Sequence, residues 1–421
     1  MIQNKQTIDR FCDLGLNQKL LAILEKKGFI TPTPIQTRVI PQALLGKDVI
    51  GIAQTGTGKT LAFALPIIQH LTQTSGQCLI MVPTRELALQ VEKEFLNFGK
   101  SLGLYCVAVI GGVSQHVQVR ALKNNPQVVI ATPGRLADLM KQGYYQLNKI
   151  KIIILDEADR MLDIGFLPEI KHILQTAPKE KQTMLFSATM SREITTIAVN
   201  FMKTPLRVEV SPQGTAPTTV EHEVFIIRKS EKTRLLDSLL QTYSEDVTLI
   251  FSRTKHGAKK IARDVRFMGH TATEIHGNRS QVQRKAALDG FIDGRFRVMI
   301  ATDIASRGID VKDITLVINF DMPDDLESYV HRIGRTGRAG KTGKAISFVM
   351  PEQRADLRKV ERLIKQALPV LALPVLPPER EQPPYQERSH QRQTSFKRRP
   401  TFTRNKPRGY AGQRRSFTRS R

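Results

Sequence analysis

The chain has 421 residues, 40% of them hydrophobic and 24% charged, too many for one ordinary core and suited to two domains with extensions. Its formal charge of +25 points to a polyanionic partner. No stretch reaches the roughly 20 apolar residues of a spanning helix, residues 1–10 lack the apolar core of a secretory signal, and three cysteines (Cys12, Cys78, Cys106) without C-x-x-C spacing speak against a disulfide framework or zinc site and for a reducing cytoplasm.

Short β-branched runs at 49–53, 78–82, 128–131, 152–155 and 184–187 alternate with helical patterns. A second series follows at 224–227, 247–251, 298–301, 316–320 and 345–349. Runs apolar on both faces are strands of a covered parallel sheet, so both halves read as α/β with right-handed crossovers. Between them residues 210–219 carry two prolines and a glycine and read as a linker; extended, it reaches roughly 35 Å. The expected domains are 1–209 and 220–372. Residues 352–368 read as one amphipathic helix with Leu357, Val360, Leu363 and Ile364 on one face. From Leu373 onward, in 373–421, prolines give way to a segment whose last part, 388–421, holds twelve Lys/Arg and no Asp or Glu. It reads as a disordered basic tail that attracts phosphates and, through Phe396, Phe402, Tyr410 and Phe417, stacks on unpaired bases. No heptad seam appears, and a monomer is expected.

Ligands in such sheets bind beyond the carboxyl ends of strands, where the motifs of this chain lie. Ala53-Gln-Thr-Gly-Thr-Gly-Lys-Thr60 follows the first run. Gly56 and Gly58 free backbone N–H groups for phosphates, Lys59 can reach the β/γ-phosphates and the Thr60 hydroxyl can bind Mg²⁺. Asp156-Glu-Ala-Asp159 closes the strand at 151–155; Asp156 can hold the magnesium and Glu157 can orient or deprotonate the attacking water. Together they imply hydrolysis of a nucleoside triphosphate. In the second half, His331-Arg-Ile-Gly-Arg-Thr-Gly-Arg338 supplies arginines that can fork onto a γ-phosphate, with an RNA role for Arg332 open.

These motifs, in this order from about residue 11 to residue 348, resemble the DEAD-box RNA helicases of helicase superfamily 2, most closely the bacterial RhlE-type members. The resemblance implies two tandem RecA-like domains with parallel sheets, and an RNA-stimulated ATPase that uses ATP and Mg²⁺ to unwind short RNA duplexes or remodel RNA–protein complexes. Residues 28–36 look like the Q motif: Gln36 would read the adenine edge and Phe11 pack near the base. Thr55 belongs to the phosphate loop, Asp310 would lie near the ribose, and Arg335 and Arg338 on the γ-phosphate. Asp159, Ser187, Thr189 and His331 would couple hydrolysis to strand separation. Pro83, Thr84, Arg85, Gly112, Thr132 and Arg135 in domain one, with Arg253, Arg284 and Thr302 in domain two, would line the RNA backbone. An ATP-gated clamp or annealing chaperone uses the same catalytic residues; a DNA helicase fits the motifs less well. The RNA itself is not named by these residues: ribosome precursors, the RNA-decay machinery and cold-induced structures are all family targets.

Overall fold

In a computed structural model of the chain, the residues described are 10–53, 56–210, 220–306, 311, 314–337 and 342–378. They contain two seven-stranded sheets. The first is built from β1 (Val49–Ile52), β2 (Gln77–Met81), β3 (Cys106–Val109), β4 (Val128–Ala131), β5 (Ile150–Leu155), β6 (Gln182–Ser187) and β7 (Leu206–Glu209). The second is built from β8 (Val220–Ile226), β9 (Thr248–Phe251), β10 (Ala272–Ile275), β11 (Val298–Ala301), β12 (Leu316–Asn319), β13 (Gly343–Val349) and β14 (Val370–Leu371).

The orders are β3-β4-β2-β5-β6-β1-β7 and β10-β11-β9-β12-β13-β8-β14, the same arrangement twice. Neighbouring strands pair in parallel in both sheets. Parallel neighbours need crossovers, and helices supply them on both faces. Hence every residue of β1, β2, β4, β9, β11 and β12 is buried, as the apolar runs required. One layer on the first sheet is aromatic, with Phe63, Phe95, Phe98 and Phe186. Gly51 in β1 makes room for it, because a Cβ there would meet the Phe186 ring at 2.6 Å.

The C-terminal part differs from the sequence expectation. A 3₁₀ turn, Pro351–Gln353, precedes a helix that runs only over Arg354–Ile364. Lys365 leaves it with φ of 56°, a left-handed helix end, and the Leu368 amide donates to Glu361 Oε1 at 2.9 Å. Contacts then run past Leu373. β14 pairs with β8, Arg234 Nε donates to the Pro377 carbonyl at 2.6 Å and Nη2 to that of Leu376 at 3.2 Å, and Leu376 packs on the second core. β14 thus occupies the edge that β7 occupies in the first sheet. The expected basic tail from 379 and linker residues 211–219 lie outside the described residues.

Candidate nucleotide site and RNA track

The nucleotide residues gather at the carboxyl ends of three adjacent strands, β5-β6-β1. Gly58, at φ 91°, caps the helix Lys59–Gln73 in a conformation that L side chains resist. A Cβ there would also strike Gln36 Nε2 at 2.5 Å. Gln36 itself is buried, accepts from the Thr33 amide at 2.9 Å and donates to the Gly58 carbonyl at 3.1 Å. Its amide braces the turn at Gly58, and each end keeps a second hydrogen-bonding position. Lys59 is buried and donates to the Ala53 carbonyl at 2.8 Å. Phe11 is buried in the hydrophobic core of the first domain.

Burial pushes the Asp156 carboxyl up to about 6; Lys59 opposes that shift, and Glu157 and Asp159 add to it. Glu157 sits in the left-handed region at φ 53°, a strained backbone of the kind found at functional sites, and Arg160 Nη1 holds its Oε2 at 3.1 Å. Asp159 Oδ2 accepts from the amides of Ala188 (2.9 Å) and Thr189 (3.0 Å) and from the Thr189 hydroxyl (3.3 Å). The Asp159 amide donates to Ser187 Oγ at 3.3 Å. The four expected coupling residues therefore include three that lie in one hydrogen-bonded cluster; His331 stands in the helix Leu326–Ile333 of the second domain.

The expected RNA residues of domain one cluster beyond β3, β4 and β2, the three strands on one side of β5. Pro83 and Thr84 are buried, and Thr84 caps the helix Arg85–Gly99. Thr132 precedes the helix Pro133–Lys141. Helix N-termini present free amides, suited to phosphate. Gly112, at φ 77°, lies under the Arg85 guanidinium, where a Cβ would collide with it. Arg135 Nη1 donates to the Val113 carbonyl at 3.2 Å. Burial lowers the Arg85 pKa, and the charges of Arg284 and Arg135 lower it further. Three cations thus converge, one of them from domain two.

Arg284 meets domain one through Glu86, Nη2 to Oε2 at 2.8 Å, with side chains only 10% and 6% exposed. Sequence reasoning missed Glu86, although it stands next to Arg85. It also missed Arg160, which the i, i+3 spacing from Glu157 places over that carboxylate. In domain two Arg253 is exposed, with Nη1 3.6 Å from Asp324 Oδ1, and Thr302 directly follows β11. Arg335 is buried in the turn after its helix. Arg332 is internal: only 1% exposed, it forks onto Asp303 (2.6 and 2.7 Å), donates to Asn319 Oδ1 and the Asp321 carbonyl, and lies over the Phe251 ring. That closes the RNA option for Arg332. Thr55, Asp310 and Arg338 lie outside the described residues.

Two families match the chain: the DEAD/DEAH box helicases over residues 33–197 and the helicase conserved C-terminal domain over 231–340. The chain is 43% identical to the DEAD-box ATP-dependent RNA helicase CshA of Streptococcus pneumoniae, across 85% of this chain and 69% of that protein. It is 43% identical to the RNA helicase CrhR of Synechocystis, across 86% and 74%. Among solved structures, Saccharomyces cerevisiae Dbp5 bound to RNA and ADP BeF3 superposes with a TM-score of 0.78 at 30% identity, covering 86% of this chain and 95% of that one. A DEAD box protein from Methanococcus jannaschii is 38% identical over 86% of this chain and 99% of its own, with a TM-score of 0.52. The two like-ordered sheets are tandem RecA-like domains, and the chain belongs to the DEAD-box helicases.

Proposed function

We propose that the chain is an ATP-dependent RNA helicase that locally opens short duplexes or remodels RNA–protein complexes in the cytoplasm, hydrolysing ATP with RNA stimulation. The observation that carries this reading is adjacency: the nucleotide groups and the arginine-lined track stand at the ends of neighbouring strands, β4-β2-β5-β6-β1, of one sheet. A change at the phosphates reaches the track through Asp159 and its hold on Ser187–Thr189. Gln36 selects adenine, Glu157 handles the attacking water, and Arg335 with Arg338 meets the γ-phosphate. Asp310 lies at the ribose, and the track contacts backbone rather than bases.

Mg²⁺ suits the donor set. It is held by one or two carboxylates and substrate phosphates rather than by an all-protein cage, and no cluster of three metal-ligating side chains exists among the described residues. Asp156 and Thr60 would hold it; a cation beside Asp156 offsets the burial that opposes ionisation. Bound there, the ion supplies charge neutralisation at the phosphates.

The domains are taken as 1–209 and 220–372, with the contacts at Leu376 and Pro377 supporting a longer second domain. The test is steady-state ATPase activity with no nucleic acid, with single-stranded RNA and with DNA of the same sequence. RNA alone should stimulate; equal rates in all three would refute the reading.

A further inference from the structure

Because the sheets share one strand order, each position of the nucleotide site has a counterpart in domain two. β1 leads to a helix that opens Lys59-Thr60, and β8, its counterpart, leads to a helix that opens Lys232-Thr233. After β5 comes Asp156, whose amide donates at 3.0 Å to the carbonyl of Met81, the last residue of β2. After β12 comes Asp321, whose amide donates at 3.3 Å to the carbonyl of Phe251, the last residue of β9; it stands one residue further along its chain. The phosphate cradle has no counterpart. Where domain one has Gly56 and Gly58, domain two has Arg228-Lys-Ser-Glu231, with no glycine to free backbone amides.

The lysine and the aspartate that remain face each other directly. Lys232 is 2% exposed. Its Nζ lies 3.0 Å from Asp321 Oδ1, 2.7 Å from the Phe320 carbonyl and 5.3 Å from the Phe320 ring centroid. A buried ammonium is costly unless it is paired and hydrogen-bonded, and here it is both. Asp321 in turn holds two motifs. Its Oδ2 accepts from Ser252 Oγ at 3.3 Å and from the Arg253 amide at 3.2 Å. Its carbonyl accepts from Arg332 Nη1 at 2.5 Å, three residues before Arg335.

We propose that Lys232 and Asp321 are a positioning pair, the remnant of a second nucleotide site, which fixes the RNA-side residue Arg253 and the arginine segment that meets the γ-phosphate on one rigid base. Both act through other residues, Lys232 on Asp321 and Asp321 on Ser252, Arg253 and Arg332. The pair makes domain two respond as a unit, so that RNA on Arg253 and ATP against Arg335 favour the same arrangement. This inference rests on the helicase reading above.

The test uses the full chain and a fluorescent ten-nucleotide RNA, with its Kd measured without nucleotide and with ADP-beryllium fluoride. The ratio of the two is the coupling factor, and a wild-type factor of one would sink the helicase reading itself rather than this inference. Lys232→Met should reduce that factor about ten- to a hundredfold, the worth of a charged hydrogen bond. ADP affinity without RNA, which rests on domain one, should stay unchanged. Lys232→Arg, which keeps charge and donors, should restore coupling to within about threefold of wild type. A folded Lys232→Met protein with wild-type coupling overturns the proposal. Should it melt below the assay temperature, Asp321→Asn, which keeps the size and an acceptor but not the charge, is held to the same criterion.

Discussion

The ion pair between Arg284 and Glu86 joins the two domains beside the RNA track, and its energetics can be worked from its burial. Both side chains are almost enclosed and their charged atoms lie 2.8 Å apart. Exposed pairs contribute little, but breaking a buried one by removing a partner costs on the order of 3 kcal/mol, since the other charge is left uncompensated. If the pair forms only when the two domains meet, that energy acts on closure. Glu86→Gln and Arg284→Gln should then each raise the KM for RNA, by roughly ten- to a hundredfold for 1.5–3 kcal/mol, while ATP affinity without RNA holds. RNA-stimulated ATPase assays on both single variants and the double variant complete a double-mutant cycle. The double variant should be little worse than either single one. Effects that add within about 0.5 kcal/mol would refute the pairing argument. Arg284 would then act as an independent phosphate contact, and Arg284→Gln would flatten the salt dependence of RNA binding by about 0.7 in log–log slope.

Glu157→Gln should lower kcat about a hundredfold or more with ATP binding intact, because glutamine still accepts from Arg160; an unchanged kcat in ATPase assays would remove Glu157 from the chemistry. Arg332→Lys cannot fork onto Asp303 and leaves buried acceptors behind, so the chain should lose about 3 kcal/mol or more, read as a lower melting temperature. The Asp156 carboxyl titrates at about 6 in the fold, above its ordinary value near 3.9. Its folded pKa is raised, so its contribution to stability is present at acid pH and lost as pH rises from about 4 through 6. A magnesium nucleotide needs the ionised form, so its stabilising effect in thermal melts should weaken about tenfold in affinity from pH 7 to pH 5. Asp156→Asn should abolish that dependence.

What could be read from the sequence follows where local chemistry is sufficient. The runs at 49–53, 78–82, 128–131 and 152–155 are apolar throughout, and β1, β2, β4 and β5 sit where those runs placed them. β10 escaped notice because Thr273 and Glu274 interrupt it; Glu274 is buried only because Arg266 and Arg279 hold it. β14 escaped because two residues beside prolines carry no strand signal, and only the edge of β8 makes them one. The phosphate loop and Asp156-Glu-Ala-Asp159 were legible since each is contiguous. Glu86 and Arg284, and Asp303 and Arg332, are pairs far apart in sequence, and no spacing rule links them. The same lack of a local signal concealed the internal role of Arg332: an arginine committed to four acceptors reads in sequence like one that faces phosphate.

The Glu86–Arg284 salt bridge has one partner on each domain, and beside it the charges of Arg135 and Arg284 act against that of Arg85. Glu86 offsets one of those charges; the remaining excess favours a polyanion between the domains. Closure without RNA should then be opposed by the same arginines that hold it shut once RNA is bound. Added salt therefore acts in two directions: it screens the repulsion and helps the empty cleft close, but weakens RNA binding. RNA-free ATPase activity should accordingly rise modestly with ionic strength while RNA-stimulated activity falls, and parallel falls in both would count against electrostatic control of the cleft.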